Sequence, residues 1–162
     1  MPVANIPAKT QTTTANITNA RAAEIIIAPN NVDVYVSNRL THFEPVAGDE
    51  DSIIHYQIVP GTTDSSSSAV GSCDTDKSIS TNITLKTLEE TPSGGINPRF
   101  ISLGSDGRVL YVGNVNAGPA GLVAYARSTD SGIIDGTPIG TVDYAFFGVG
   151  PGWGPQFIQQ VA

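Results

Sequence analysis

Cysteine is almost missing from this chain. Cys73 stands alone among 162 residues, so no internal disulfide can staple the fold. It sits among Ser, Asp and Thr in a polar loop and reads as an exposed thiol without a role. A reducing compartment fits, and the expected localisation is cytoplasmic. Positive charge is also scarce: 8 Lys and Arg stand against 15 Asp and Glu, a net charge of −7. That balance excludes a nucleic-acid partner or an anionic membrane, which need a basic face. No apolar run approaches the ~20 residues of a membrane span. The first twenty residues lack the basic start and apolar core of a secretory leader, so none is expected. Asn16-Ile17-Thr18 and Asn82-Ile83-Thr84 match the glycosylation pattern by chance. No stretch sustains helical periodicity. There is no His/Cys metal cluster, no phosphate-cradling glycine loop and no Gly-x-Ser-x-Gly elbow, so no metal and no cofactor are expected.

What the chain does have is turns, alternation and repetition. Its 17 Gly and 11 Pro suit an all-β protein, and 40% apolar with 14% charged residues is a globular composition. Val34-Tyr35-Val36-Ser37-Asn38-Arg39 recurs as Leu110-Tyr111-Val112-Gly113-Asn114. A turn signal precedes each copy, Pro29-Asn30-Asn31 and Ser105-Asp106-Gly107. An apolar run ending in tyrosine follows each, Ile53-Ile54-His55-Tyr56 and Leu122-Val123-Ala124-Tyr125. A repeat of several tens of residues marks a propeller or a solenoid.

Strands are predicted at 22–27, 33–38, 52–59 and 82–89, then again at 100–103, 109–113, 122–127 and near 138–144. Residues 60–80, rich in Ser and Thr, are too polar to order themselves and read as a solvated insertion. Residues 91–97 read as a loop, with Pro92, Gly94 and Gly95. Val149-Gly150-Pro151-Gly152-Trp153 reads as the opening of another repeat.

Taken in order, Glu24-Ile25-Ile26-Ile27, Val34-Tyr35-Val36-Ser37-Asn38-Arg39, Asp51-Ser52-Ile53, Ser93-Gly94-Gly95-Ile96-Asn97-Pro98-Arg99-Phe100, Asp106-Gly107-Arg108 and Gly150-Pro151-Gly152-Trp153 resemble the lactonase family of seven-bladed β-propellers. That family includes the propeller-type 6-phosphogluconolactonases and the fungal carboxy-cis,cis-muconate cyclases, which are lactonizing isomerases. The resemblance covers roughly residues 20–158 and is to the C-terminal end of the family. It implies an arm or the remnant of a preceding blade at 1–20, a blade at 21–90 carrying the 60–80 insertion, a blade at 91–147, and the closing strand of a further blade at 148–162. The expected fold is therefore all-β, two four-stranded antiparallel blades plus a partial third, a fragment of a seven-bladed propeller.

The chemistry implied is hydrolysis or formation of a lactone. Both directions hold a carboxylate or phosphate with arginine and move a proton at the reacting centre. Arginine suits the first task because its planar fork grips an oxyanion in two places and keeps its charge. The resemblance makes Arg39, leaving the sheet after Asn38, the first candidate for a catalytic group. Arg99, in Asn97-Pro98-Arg99-Phe100, is the second, as an anion contact. His42 follows Arg39 in the same loop and is a candidate substrate contact. Each has a plainer alternative: the arginines as bridges between blades, and His42 as a solvated loop residue. His55, between apolar neighbours, reads as an outward-facing or satisfied sheet residue. Glu24 reads as a bond to loop amides across blades. Glu44, Asp49, Glu50 and Asp51 read as a solvated acidic loop. Trp153 reads as packing between blades. The family's proposed catalytic His and Glu belong to earlier blades and have no match here.

The expected partner is a small anionic lactone or carboxylate in the full-length context. The rival expectation is a truncated, non-catalytic propeller fragment that binds or assembles. Two blades leave both flanks uncovered, like a solenoid without caps, so self-association is expected.

Overall fold

A computed structural model describes residues 21–39, 51–60, 83–116, 118, 120–148 and 152–159. It holds two four-stranded antiparallel sheets. The first is β1 (Arg21–Ile27), β2 (Asp33–Arg39), β3 (Ser52–Pro60) and β4 (Ile83–Pro92); the second is β5 (Ile96–Leu103), β6 (Val109–Asn116), β7 (Leu122–Arg127) and β8 (Ile134–Val142). Each sheet pairs its strands in chain order, the meander of a propeller blade.

The turns follow local chemistry. Asn30 Oδ1 accepts from the amides of Val32 (3.0 Å) and Asp33 (3.1 Å), and Asn31 takes the left-handed conformation at φ 57°. In the second blade Gly107 turns at φ 70°, with Asp106 Oδ1 accepting from the Arg108 amide at 3.0 Å.

Alternation along the strands builds two apolar layers. Tyr35 and Ile53 of the first blade meet Ile101, Leu110, Val112, Val123 and Tyr125 of the second in one shared core. Val34, Val36, Ile54 and Tyr56 point the other way and form a separate buried layer with Ile58 and Leu85.

Three boundaries differ from the sequence expectation. Strand β4 runs on to Pro92 and β5 starts at Ile96, so the expected loop at 91–97 shrinks to a tight link. Asp51 clamps that link. Its carbonyl accepts from the Ser93 amide at 2.8 Å, and its carboxylate accepts from the Asn97 amide at 2.5 Å. Strand β8 starts early, at Ile134, and Tyr144 opens a 3-10 helix, Tyr144–Phe147, capped by Asp143. The described residues beyond Gly148, 152–159, carry no strand. They lie against β5 and β6: the Gly152 and Gly154 amides donate to Val115 O, and Phe157 packs on Phe100 with ring centroids 4.9 Å apart. Trp153 is 62% exposed rather than packed between blades. Of the expected insertion at 60–80, Pro60 ends β3, while residues 61–80 with Cys73, His42 and the arm at 1–20 lie outside the described residues.

Candidate functional site: an arginine rim at one end of the blades

Antiparallel pairing puts the starts of β1 and β5 and the ends of β2 and β6 on one rim. Both inner pairs break register at that rim, between Ala22 and Ile25 and between Pro98 and Phe100. Such bulges re-aim side chains at barrel rims and next to active sites. The rim collects Arg21 at the start of β1, Arg39 at the end of β2 and Arg99 near the start of β5. Arg21 and Arg39 stand directly opposite each other in the β1–β2 ladder. Asp51, fully buried, sits beside them ahead of β3.

Electrostatics couple the members of this group. Burial pushes the Arg39 guanidinium below its ordinary pKa, and the charges of Arg99 and Arg21 push it the same way. Asp51 opposes that shift. Arg39 Nε is buried without a hydrogen-bond partner. Asn97 lies on the same rim in the left-handed conformation, φ 60°, with a buried carboxamide oxygen also unpartnered. The structure thus brings together two of the three residues singled out from sequence, Arg39 and Arg99. It adds Arg21, not singled out from sequence, and Asp51, expected in a solvated acidic loop and found buried. His42 lies outside the described residues.

A second charged cluster is structural in geometry. Arg127 on β7 crosses to the first blade: Nη2 donates to Asp33 Oδ2 at 2.6 Å, Nε to Tyr35 Oη at 2.5 Å, and Nη1 to its own blade's Gly107 O at 2.9 Å. Tyr35 Oη donates onward to Gly132 O at 2.5 Å. His55, fully buried, stacks on Tyr35 and bonds Asp33 Oδ1 at 3.0 Å. Its Nδ1 lies 3.4 Å from Glu89 Oε1 but is not aligned for a hydrogen bond. His55 thus belongs to the interface between the blades and does not face outward. Burial raises the Asp33 carboxyl, but bonds from Asn30 and His55 and the charges of His55 and Arg127 outweigh it, so its pKa falls below the ordinary value. Burial pushes the Tyr35 phenol up to about 12. The signal available in sequence was an acid at the start of one strand and a base at the end of another, Asp33 and Arg127. Spacing could not pair them.

The repeated asparagine also has a geometric role. Asn114 Nδ2 donates to Ser93 O at 3.1 Å and Ala120 O at 3.2 Å, clasping the link between blades to the β6–β7 loop. Asn38, its counterpart in the first blade, is fully buried, with both amide atoms unpartnered. Among the described residues no group of three His, Cys, Asp or Glu side chains is placed to hold a metal ion, and no helix is long and apolar enough to cross a membrane.

Sheets of this topology, stacked through a shared core, define the class: propeller-type blades. A solved structure of a protein from Lactobacillus plantarum superposes with a TM-score of 0.53 at 18% identity, over 85% of this chain and 30% of that one. Two candidate 6-phosphogluconolactonases were also matched. The one from Bacteroides uniformis gives a TM-score of 0.48 at 22% identity, over 75% of this chain and 27% of its own. The one from Bacteroides fragilis gives 0.49 at 22%, over 83% and 30%. The chain therefore spans under a third of the length of the structures it matches, and at these identities the likeness concerns the fold. No family model matches the chain, and no curated protein does.

Proposed function

We propose that these two blades supply the anion-holding side of a lactone-processing propeller, either a hydrolase of the 6-phosphogluconolactonase type or a lactonizing isomerase. One observation carries the reading: Arg39 sits half-buried with its Nε unpartnered, crowded by two further guanidiniums. A buried donor left without an acceptor costs about 1–3 kcal/mol. An oxyanion of substrate removes that cost and relieves the repulsion among the arginines. Arg39 is the central contact and Arg99, exposed on β5, the second; His42 is a third in this proposal. Holding the acid fixes the lactone carbon relative to the group that moves the proton, which the family resemblance assigns to earlier blades. The proposed domain division is the one expected from sequence, blades at 21–90 and 91–147 with residues 148–162 leading on.

The test is lactone turnover with and without Arg39→Ala. Loss of about tenfold or more in kcat/KM is expected, matching one charge-assisted contact to an anion. Turnover untouched by that change removes the site.

A second reading, a non-catalytic module that binds or assembles through its flanks, is favoured by one observation. Ile25, Ile27, Ile139 and Phe146 are 59–81% exposed. Exposed apolar area of this kind marks contact surfaces. No lactone turnover together with concentration-dependent association would favour this reading.

A further inference from the structure

Arg21 opposite Arg39 needs an explanation. Like charges directly across an antiparallel pair destabilise the sheet. Here the pair sits beside a third guanidinium, Arg99, in a chain whose net charge is −7. Cations this scarce do not crowd together for solubility, since spreading them would serve that better. Among the described residues, Arg39 thus feels two cations and one carboxylate, Asp51.

Neutral groups at the rim are also left wanting. Asn116, at the end of β6 and opposite Ile96, is 7% exposed, and its Nδ2 donor has no partner. It shares its strand face with Val112, which packs in the core between the blades. Arg39 Nε is a second buried donor without an acceptor, on the neighbouring blade. Buried polar groups in folded proteins are satisfied with few exceptions, so two unmatched donors at one rim ask for an acceptor from outside. Asn97, held at φ 60° by the bond from its amide to Asp51, keeps this end of β5 fixed.

We infer that Arg21, Arg39 and Arg99 form a single seat for a doubly charged anion, a phosphomonoester or a dicarboxylate, with Arg21 the residue that sets the preference for two charges over one. The inference rests on the anion-holding reading above and deepens it. Arg39 grips one oxyanion group in either case. Arg21 adds a charge that draws a dianion about twice as strongly as a monoanion, so it acts on selectivity.

Titration calorimetry of the purified chain at low salt tests this with three probes: inorganic phosphate at pH 8, succinate, and acetate. The wild-type chain should bind phosphate and succinate at least about tenfold more tightly than acetate, the factor that one added charge contact of about 1.4 kcal/mol gives. Preference between phosphate and succinate then separates the two sources of double charge. Arg21→Gln should lower affinity for both dianions about tenfold and for acetate clearly less, while Arg39→Gln should weaken all three strongly. The ligand-free Arg21→Gln chain should melt no lower than wild type, because a repulsive pair has been removed, and that melt shows that the variant folds. If Arg39→Gln abolishes binding and Arg21→Gln binds dianions like wild type, Arg21 has no part in the seat and the anion-holding reading stands. If wild type binds none of the probes, or acetate as well as phosphate and succinate, the three-arginine seat is overturned. Binding that neither variant alters would also overturn the role of Arg39.

Discussion

At the scale of single residues, the firmest joint between the blades is the Arg127–Asp33 pair with Tyr35 and His55 around it. A buried ion pair adds little over a well-packed apolar replacement, but removing one partner strands the other charge at a cost of about 3–5 kcal/mol. Arg127→Leu should therefore destabilise the chain by that amount in a denaturant titration. Asp33→Leu combined with Arg127→Leu should cost clearly less than the two single losses together. The titrations have opposite signs. The Asp33 pKa is depressed in the fold, so its contribution is complete above its ordinary value of 3.8 and is lost as pH falls through the lower, folded value. The Tyr35 pKa is raised, so its contribution is complete below 10.0 and is lost as pH rises to about 12. Ionising Tyr35 removes its bond to Gly132 O. Stability measured from pH 9 to 12 should fall by at most about 2–3 kcal/mol, and Tyr35→Phe should flatten that limb. None of this was legible in the sequence. Asp33 and Arg127 lie 94 positions apart, and His55 read as either an outward-facing or a satisfied sheet residue, without a partner to name.

At the scale of elements, strands and turns followed from local pattern. Val34-Tyr35-Val36 and Leu110-Tyr111-Val112 alternate toward two layers, and Asn30-Asn31 and Asp106-Gly107 turn the chain by their own side chains or by glycine's freedom. The misjudged elements are those fixed from elsewhere. Residues 91–97 looked like a loop because they hold proline and two glycines, yet Asp51 of the first blade clamps them into a tight link. Gly95 lies so close to Ala120 O and the Asn114 amide that a Cβ would fall 2.4 and 2.5 Å from them. Gly95→Ala should therefore break the Asn114 clasp. Asn114→Ala should cost about 1–3 kcal/mol in thermal or chemical unfolding, because two buried carbonyls lose their donor. Asn38→Ala should cost much less, since the amide it removes has no partner. Equal losses at the two positions would contradict the difference between them in the structure.

At the scale of the whole molecule, the described residues form one core shared by the blades and a second buried layer on the far face of the first blade. Tyr35 and Ile53 pack against the second blade's Ile101, Leu110 and Val123, so the blades should unfold in one transition followed equally by far-UV circular dichroism and tyrosine fluorescence. Separate transitions would show that the charged joint and the shared core do not couple them. Outside that core, apolar residues such as Ile25, Ile27 and Phe146 face solvent. We expect sedimentation to show concentration-dependent association, weakened when Ile25→Ser and Ile27→Ser are combined. A strictly monomeric chain at all concentrations would remove the assembling reading.

The sequence alone determined that the chain is all-β, where most strands lie, and that the unit occurs twice, because alternation and turn chemistry act over a few residues and leave a local trace. It also marked Arg39 and Arg99, through resemblance rather than pairing. Only the tertiary structure decided which charges meet. Strand register set Arg21 across from Arg39, and the stacking of one blade on the other brought Arg99 to them and closed Arg127 onto Asp33. Such meetings depend on register and sheet packing between residues far apart in the chain, and spacing along a single sequence does not encode them.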